Sequence, residues 1–149
     1  MPYLADTNIL LRLPRPADPL YAVAQQALRT LQRTGERVYV TPQNFVEFWS
    51  VATRPESANG LGMTPAEAEA EVARLEPLFI LAPDDPAIYD EWRRLVVSVG
   101  VSGAQVHDAR LVAVMRVYGL THVLTFNTAD FTRYPDITVV RPQDIVNVP

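Results

Sequence analysis

The sequence predicts an α/β fold: one domain over residues 1–149, built on a mostly parallel five-stranded sheet with helices on both faces. Two observations predict it. Short apolar runs of strand length alternate with longer segments of helical periodicity almost throughout, the pattern of repeated strand–crossover–strand units. Proline at first-turn positions and glycine just past last turns separate these segments. A third observation concerns function. The acids Asp6, Glu47, Asp108 and Asp130 fall at or beyond the predicted carboxyl ends of strands, where open α/β sheets place their ligands.

The elements follow in order. Tyr3-Leu4-Ala5 is a short buried strand. Asp18 with Pro19 opens a helix that runs through Tyr21 and Leu28 to the stop signal Gly35. Val38-Tyr39-Val40 is the second strand. Thr41-Pro42 caps a helix that carries Glu47 and ends near Arg54-Pro55. Residues 57–62 form a loop. Thr64-Pro65, with Glu67 in capping-box position, starts a helix over residues 66–76. Leu78 to Leu81 is the third strand. Asp84 or Asp85 with Pro86 opens a helix to about Val99, and Gly100 to Gly103 is a joint. A helix from about Gln105 to Tyr118 stops at Gly119. His122 to Thr125 and Ile137 to Val140 complete the sheet. Arg141 to Pro149 has no assigned element.

Composition narrows the chemistry. An apolar content of 48% with 20% charged residues is globular. The chain has no cysteine, which excludes disulfides, thiolate nucleophiles and cysteine-bound metals. It has no lysine either: all 13 basic residues are arginine. That excludes the P-loop and Schiff-base chemistry. It also weakens the case for a phosphoaspartate-type phosphatase with Asp6 as nucleophile, which wants a Lys and an Asp in place of Asn8. No apolar run spans a bilayer, and Met1 to Asp6 does not resemble a leader, so the expectation is a cytoplasmic protein without membrane contact. The net charge of −4 is unlike a general nucleic-acid binder. If four of the 17 acids serve one site, though, the remaining 13 balance the 13 arginines.

Each acid has a plainer use. Asp6 suits the N-cap of a helix starting at Thr7. Glu47 shares a helical stripe with Gln43, Ser50 and Arg54, which a solvated face explains. Asp108 lies three, four and seven residues before Leu111, Val112 and Met115, so it falls on the inward side of its helix; it is either a buried cap or a carboxylate that needs a partner to stay charged. Asp130 fits a turn in Asn127-Thr128-Ala129-Asp130. Taken together, clustered carboxylates call for a hard divalent cation.

The ordered set of four segments resembles the PIN-domain ribonucleases, most closely VapC-type toxins. The segments are Leu4-Ala5-Asp6-Thr7-Asn8-Ile9-Leu10, Asn44-Phe45-Val46-Glu47-Phe48, Val106-His107-Asp108-Ala109-Arg110-Leu111-Val112-Ala113 and Leu124-Thr125-Phe126-Asn127-Thr128-Ala129-Asp130-Phe131. The resemblance covers essentially the whole chain; the loop over residues 56–63 is longer than expected. It implies a sheet with its first strand central and a metal-dependent endoribonuclease. Asp6, Glu47, Asp108 and Asp130 would hold Mg²⁺ or Mn²⁺, directly or through water, with Asn127 as their polar companion. Without a pair of histidines for attack by the 2′-hydroxyl, water is the expected nucleophile. Asn8, Asn127, Arg12 and Arg133 are candidate substrate contacts, with Arg15 and Arg110 further phosphate candidates. The implied partners are RNA, a second copy of the chain in a homodimer, and a small VapB-like antitoxin. The antitoxin's helix would lie between the helix carrying Phe45, Phe48 and Trp49 and the segment Thr64 to Glu76. A non-catalytic PIN-like interaction module is the alternative.

Overall fold

The computed structural model describes residues 1–146. Five strands form one parallel sheet: β1 (Pro2–Ala5), β2 (Arg37–Val40), β3 (Ile80–Leu81), β4 (His122–Leu124) and β5 (Thr138–Val140). Their order is β3-β2-β1-β4-β5, so β1 is central, as the resemblance implied. The helices are α1 (Thr7–Leu10), α2 (Tyr21–Arg33), α3 (Pro42–Ala52), α4 (Pro65–Leu75), α5 (Pro86–Val99), α6 (Gln105–Tyr118) and α7 (Pro142–Val146).

Successive strand side chains point to opposite faces, and the core divides accordingly. Tyr3 and Ala5 pack with Val38, Val40 and Leu124 against α1, α2, α3 and α4. Leu4 and Val123 pack on the other face against Leu95 of α5 and Ala109, Leu111, Val112 and Met115 of α6. Helices therefore cover both faces, and the strands read as short continuous apolar runs, as a doubly covered parallel sheet requires.

Local signals set most boundaries. Thr41 and Asn44 form a reciprocal capping box at the start of α3, and Thr64 and Glu67 do the same for α4. Asp85, not Asp84, caps α5 by accepting from the Ala87 amide. Gly100 and Gly119 close α5 and α6 at φ of 75° and 69°, in the left-handed region that glycine enters without steric penalty.

Three expectations are corrected. The second helix begins at Tyr21 rather than at Asp18-Pro19, because the Asp18 carboxylate accepts from the Leu20 amide and from Arg12 and holds a turn before the helix. The third strand shrinks from Leu78–Leu81 to Ile80–Leu81: Glu76–Leu78 winds into a 3₁₀ turn and Phe79 enters the core. Part of the unassigned tail forms α7, whose Ile145 packs on the α1–α4 core; residues 147–149 lie outside the described residues.

The long loop after α3 is tied back onto it. The amides of Leu61, Gly62 and Met63 donate to the carbonyls of Val51, Arg54 and Ala52. A Cβ at Gly60 would lie 2.0 Å from the Arg54 carbonyl oxygen, so only glycine fits this approach.

Candidate active site

The carboxyl edge of the sheet carries the polar residues in this order. Asp6 follows β1 and caps α1; its Oδ1 accepts from the Thr7 amide at 2.8 Å. The plainer reading of Asp6 as a cap is therefore correct, but a cap needs only one oxygen. The second, Oδ2, accepts from the Thr125 hydroxyl just after β4, also at 2.8 Å. Asp6 is 7% exposed. Burial pushes its pKa up to about 6; the hydrogen bonds from Thr125 and Thr7 oppose the rise, and the charges of Glu47 and Asp130 add to it.

Glu47 comes from the second turn of α3. Its Oε1 accepts from the Thr7 hydroxyl at 2.7 Å, and the amide nitrogen of Asn44 in turn donates to the Thr7 oxygen at 3.1 Å. The stripe read as a solvated face is thus partly turned inward. Asp108 stands in the first turn of α6, above Leu111, Val112 and Met115, all fully buried. Burial raises its pKa to about 7, helped by the charges of Asp6, Asp130 and Glu47 and opposed by Arg133. Asp130 ends a short 3₁₀ turn after β4. All four sequence-predicted acids therefore gather in one crevice, close enough for the charges of Glu47 and Asp130 to reach both Asp6 and Asp108.

The predicted polar contacts divide. Asn127 has an exposed side chain at the rim, while its amide donates to the Thr125 hydroxyl. Arg133 is exposed and forms no salt bridge among the described residues; its charge reaches Asp108. Asn8 uses both ends of its amide internally, donating to Thr125 and accepting from the Phe126 amide. That also removes any role for it as the second acid of a phosphoaspartate site. Arg12 is bound to Asp18 at 3.0 Å. Arg15 donates to the Leu61 carbonyl and pairs with Glu56. Arg110 donates to Gln43 and pairs with Asp84.

Sequence reasoning missed two braces. Thr125 is fully buried and saturates its hydroxyl: it donates to Asp6 and accepts from Asn8 and Asn127. Gln43 joins α3 to α6, donating to the His107 carbonyl at 2.8 Å and accepting from Arg110 at 3.0 Å. Thr125→Val should leave the Asn8 and Asn127 donors without their acceptor, at a cost of about 1–3 kcal/mol. Since the Thr125 hydrogen bond holds the Asp6 pKa down, the variant's Asp6 should titrate above the wild-type value of about 6. Urea denaturation and an NMR titration of the Asp6 carboxyl carbon check both expectations, and an unmoved titration would show that Thr125 does not tune Asp6.

The donor set fits a hard cation, being all oxygen. Among the described residues no three His, Asp or Glu side chains converge tightly enough to enclose an ion as they stand. Magnesium does not require such a cage: it is commonly held by one or two carboxylates and keeps several waters, which further acids can orient. Asp6 and Asp108, the two with raised pKa values, are the candidate direct ligands. Glu47 and Asp130 suit the waters.

This acidic crevice on a parallel sheet defines a class that the family model described as PIN domain also matches, over residues 3–137; the chain belongs to that family. Solved structures share the fold. VapBC2 from Rickettsia felis, bound to a DNA fragment from its promoter, aligns with a TM-score of 0.72 at 11% identity, over 95% of this chain and 98% of that one. FitAcB from Neisseria gonorrhoeae aligns at 0.63 and 25% identity, over 95% and 98%. VapC20 of Mycobacterium tuberculosis, a sarcin–ricin loop cleaving toxin, aligns at 0.56 and 18% identity, over 81% and 86%. No curated protein matches the sequence. No helix among the described residues is long and apolar enough to cross a membrane.

Proposed function

We propose that this chain is a metal-dependent endoribonuclease and the toxin of a VapBC-type pair. One observation carries the reading: four carboxylates from four separate segments meet at the carboxyl edge of the sheet, and two of them, Asp6 and Asp108, have their pKa values raised by burial and by the neighbouring acids. A fold gathers repelling acids at such a cost to itself chiefly where function uses them. Likeness to VapBC2, FitAcB and VapC20, the last a sarcin–ricin loop cleaving toxin, supports the choice of substrate.

A bound Mg²⁺ or Mn²⁺ would acidify a water for in-line attack on phosphorus and offset the phosphate charge. Asp6 and Asp108 would hold the ion. The Thr7 hydroxyl fixes Oε1 of Glu47, and Oε2, which accepts only a long 3.5 Å hydrogen bond from Gln43, would orient the attacking water. Asp130, whose charge reaches both Asp6 and Asp108, would orient a further water of the ion. Arg133 and Asn127 meet the phosphate at the rim. Asn8 and Arg12 act from behind: Asn8 fixes the strand end that carries Thr125, and Arg12 fixes the turn before α2.

The antitoxin surface follows from the same reading. A cleft of about 450 Å³ lies between α3 and α4, lined by Phe45, Val46, Trp49 and Val72. Phe48, expected to line it, is fully buried in the core instead. The cleft suits the apolar side of a partner helix, and an arginine from the partner would neutralise the acids. Expression of the chain alone should arrest growth, and co-expression with the adjacent small gene should restore growth and yield a copurifying complex. Harmless expression of a folded chain would contradict the toxin reading.

A further inference from the structure

A polyanion crossing an acidic crevice needs cations on both flanks. On the Asp108 side Arg133 supplies one. On the Glu47 side a second cleft opens along α3 toward the start of α6, about 530 Å³ and lined by Gln43, Val46, Glu47, Ser50, Arg54 and His107. Glu47 belongs to both the cleft and the crevice, so the two are continuous. We propose that this cleft receives the nucleotide flanking the scissile phosphate of a single-stranded RNA. The proposal rests on the ribonuclease reading and extends it to a defined strand path.

The lining has the chemistry of such a subsite. Arg54 is exposed and forms no salt bridge among the described residues, so its guanidinium is free for a phosphate. Val46, 70% exposed, and the exposed His107 imidazole offer faces on which a base stacks. The exposed Ser50 hydroxyl, one turn after Val46 on α3, lines the same cleft and suits a ribose or phosphate oxygen. The floor is built: Gln43 donates to the His107 carbonyl and accepts from Arg110, which fixes the distance between the two helices. Its volume lies within the range of about 300–1,000 Å³ usual for ligand clefts. Stacking in a cleft of this kind requires an unpaired base, which sets the substrate as a single strand rather than a duplex.

The test is fluorescence anisotropy with a labelled single-stranded RNA and the Asp6→Asn protein, in which binding is read without cleavage. Arg54→Ala and His107→Ala are introduced into that background, with Arg94→Ala, on α5 and outside the cleft lining, as a control. Wild-type cleavage of the same RNA is measured in parallel. The expected result is about tenfold weaker binding for Arg54→Ala, with its salt dependence shallower by about one unit. His107→Ala should weaken binding about fivefold with an unchanged salt dependence, as loss of stacking requires. Arg94→Ala should bind as the parent does. If wild type cleaves the RNA but neither cleft variant weakens binding, the subsite is overturned and the ribonuclease reading stands. If the Asp6→Asn protein does not bind RNA and wild type does not cleave it, both are overturned.

Discussion

Asp108→Asn is expected to abolish RNA cleavage and, in chelator at pH 8, to raise the melting temperature. The carboxylate lies over the buried face of α6, and burial together with the charges of Asp6, Asp130 and Glu47 lifts its pKa from 3.8 to about 7. The folded protein therefore holds this proton more tightly than the unfolded chain does. Wild type loses stability as the pH rises from the unfolded value through about 7, and the loss is constant above that. A shift of about three units corresponds to about 4 kcal/mol. Asp108 is only partly buried, so solvent screening reduces the gain from removing the charge to about 2 kcal/mol. In a protein of this size that is about 4–8 °C. The two proteins should melt together near pH 3.5 and diverge between there and pH 8. A variant that melts with wild type at both ends would show that Asp108 carries no strain.

Asp6→Asn is a less simple case. Asparagine keeps the N-cap, because its carbonyl still accepts from the Thr7 amide. Its amide nitrogen, however, would face a Thr125 hydroxyl that already accepts from Asn8 and Asn127. Relief of charge and loss of a hydrogen bond oppose each other, so activity should vanish while stability changes little.

Divalent metal should compete with protons for the same carboxylates. Mn²⁺ or Mg²⁺ at about 100 times its dissociation constant is expected to stabilise wild type by about 2.7 kcal/mol through mass action. At a fixed metal concentration the increase should be larger at pH 8 than at pH 5.5, where Asp6 and Asp108 hold protons that metal must displace. Asp108→Asn should lose most of it. Calorimetric melting with and without metal checks this, and equal shifts in both proteins would place the metal elsewhere.

The parts of the fold readable in the sequence are those that short-range chemistry decides. Thr41-Pro42, Thr64-Pro65 and Asp85-Pro86 start helices, and Gly100 and Gly119 end them, because caps and left-handed residues act within a turn. Where a local signal has two uses, the sequence misleads. Asp18-Pro19 has the composition of a helix start, but Arg12 and Leu20 claim the carboxylate. Leu78 to Leu81 has strand composition, but Pro77 lies in a 3₁₀ turn and the ladder begins only at Ile80.

The site divides the same way. Its acids stand out in sequence, since a carboxylate beside an apolar run is conspicuous. Its braces do not: Thr125 meets Asp6 across 119 positions and Gln43 meets His107 across 64, and no periodicity joins such pairs. Arg12 and Arg110 were conspicuous for their closeness to the motifs, yet the folded chain pairs them with Asp18 and Asp84.

The acids' role in RNA hydrolysis is tested most directly by end-group analysis of a labelled RNA cut by the purified chain. The RNA carries a 2′-O-methyl group at the cleaved nucleotide, and reactions contain Mn²⁺ or excess chelator. Attack by water held at Asp6, Glu47 and Asp108 predicts cleavage with Mn²⁺ only, indifference to the blocked 2′-hydroxyl, and no product from Asp6→Asn. Cleavage that persists in chelator, or that stops when the 2′-hydroxyl is blocked, would contradict it.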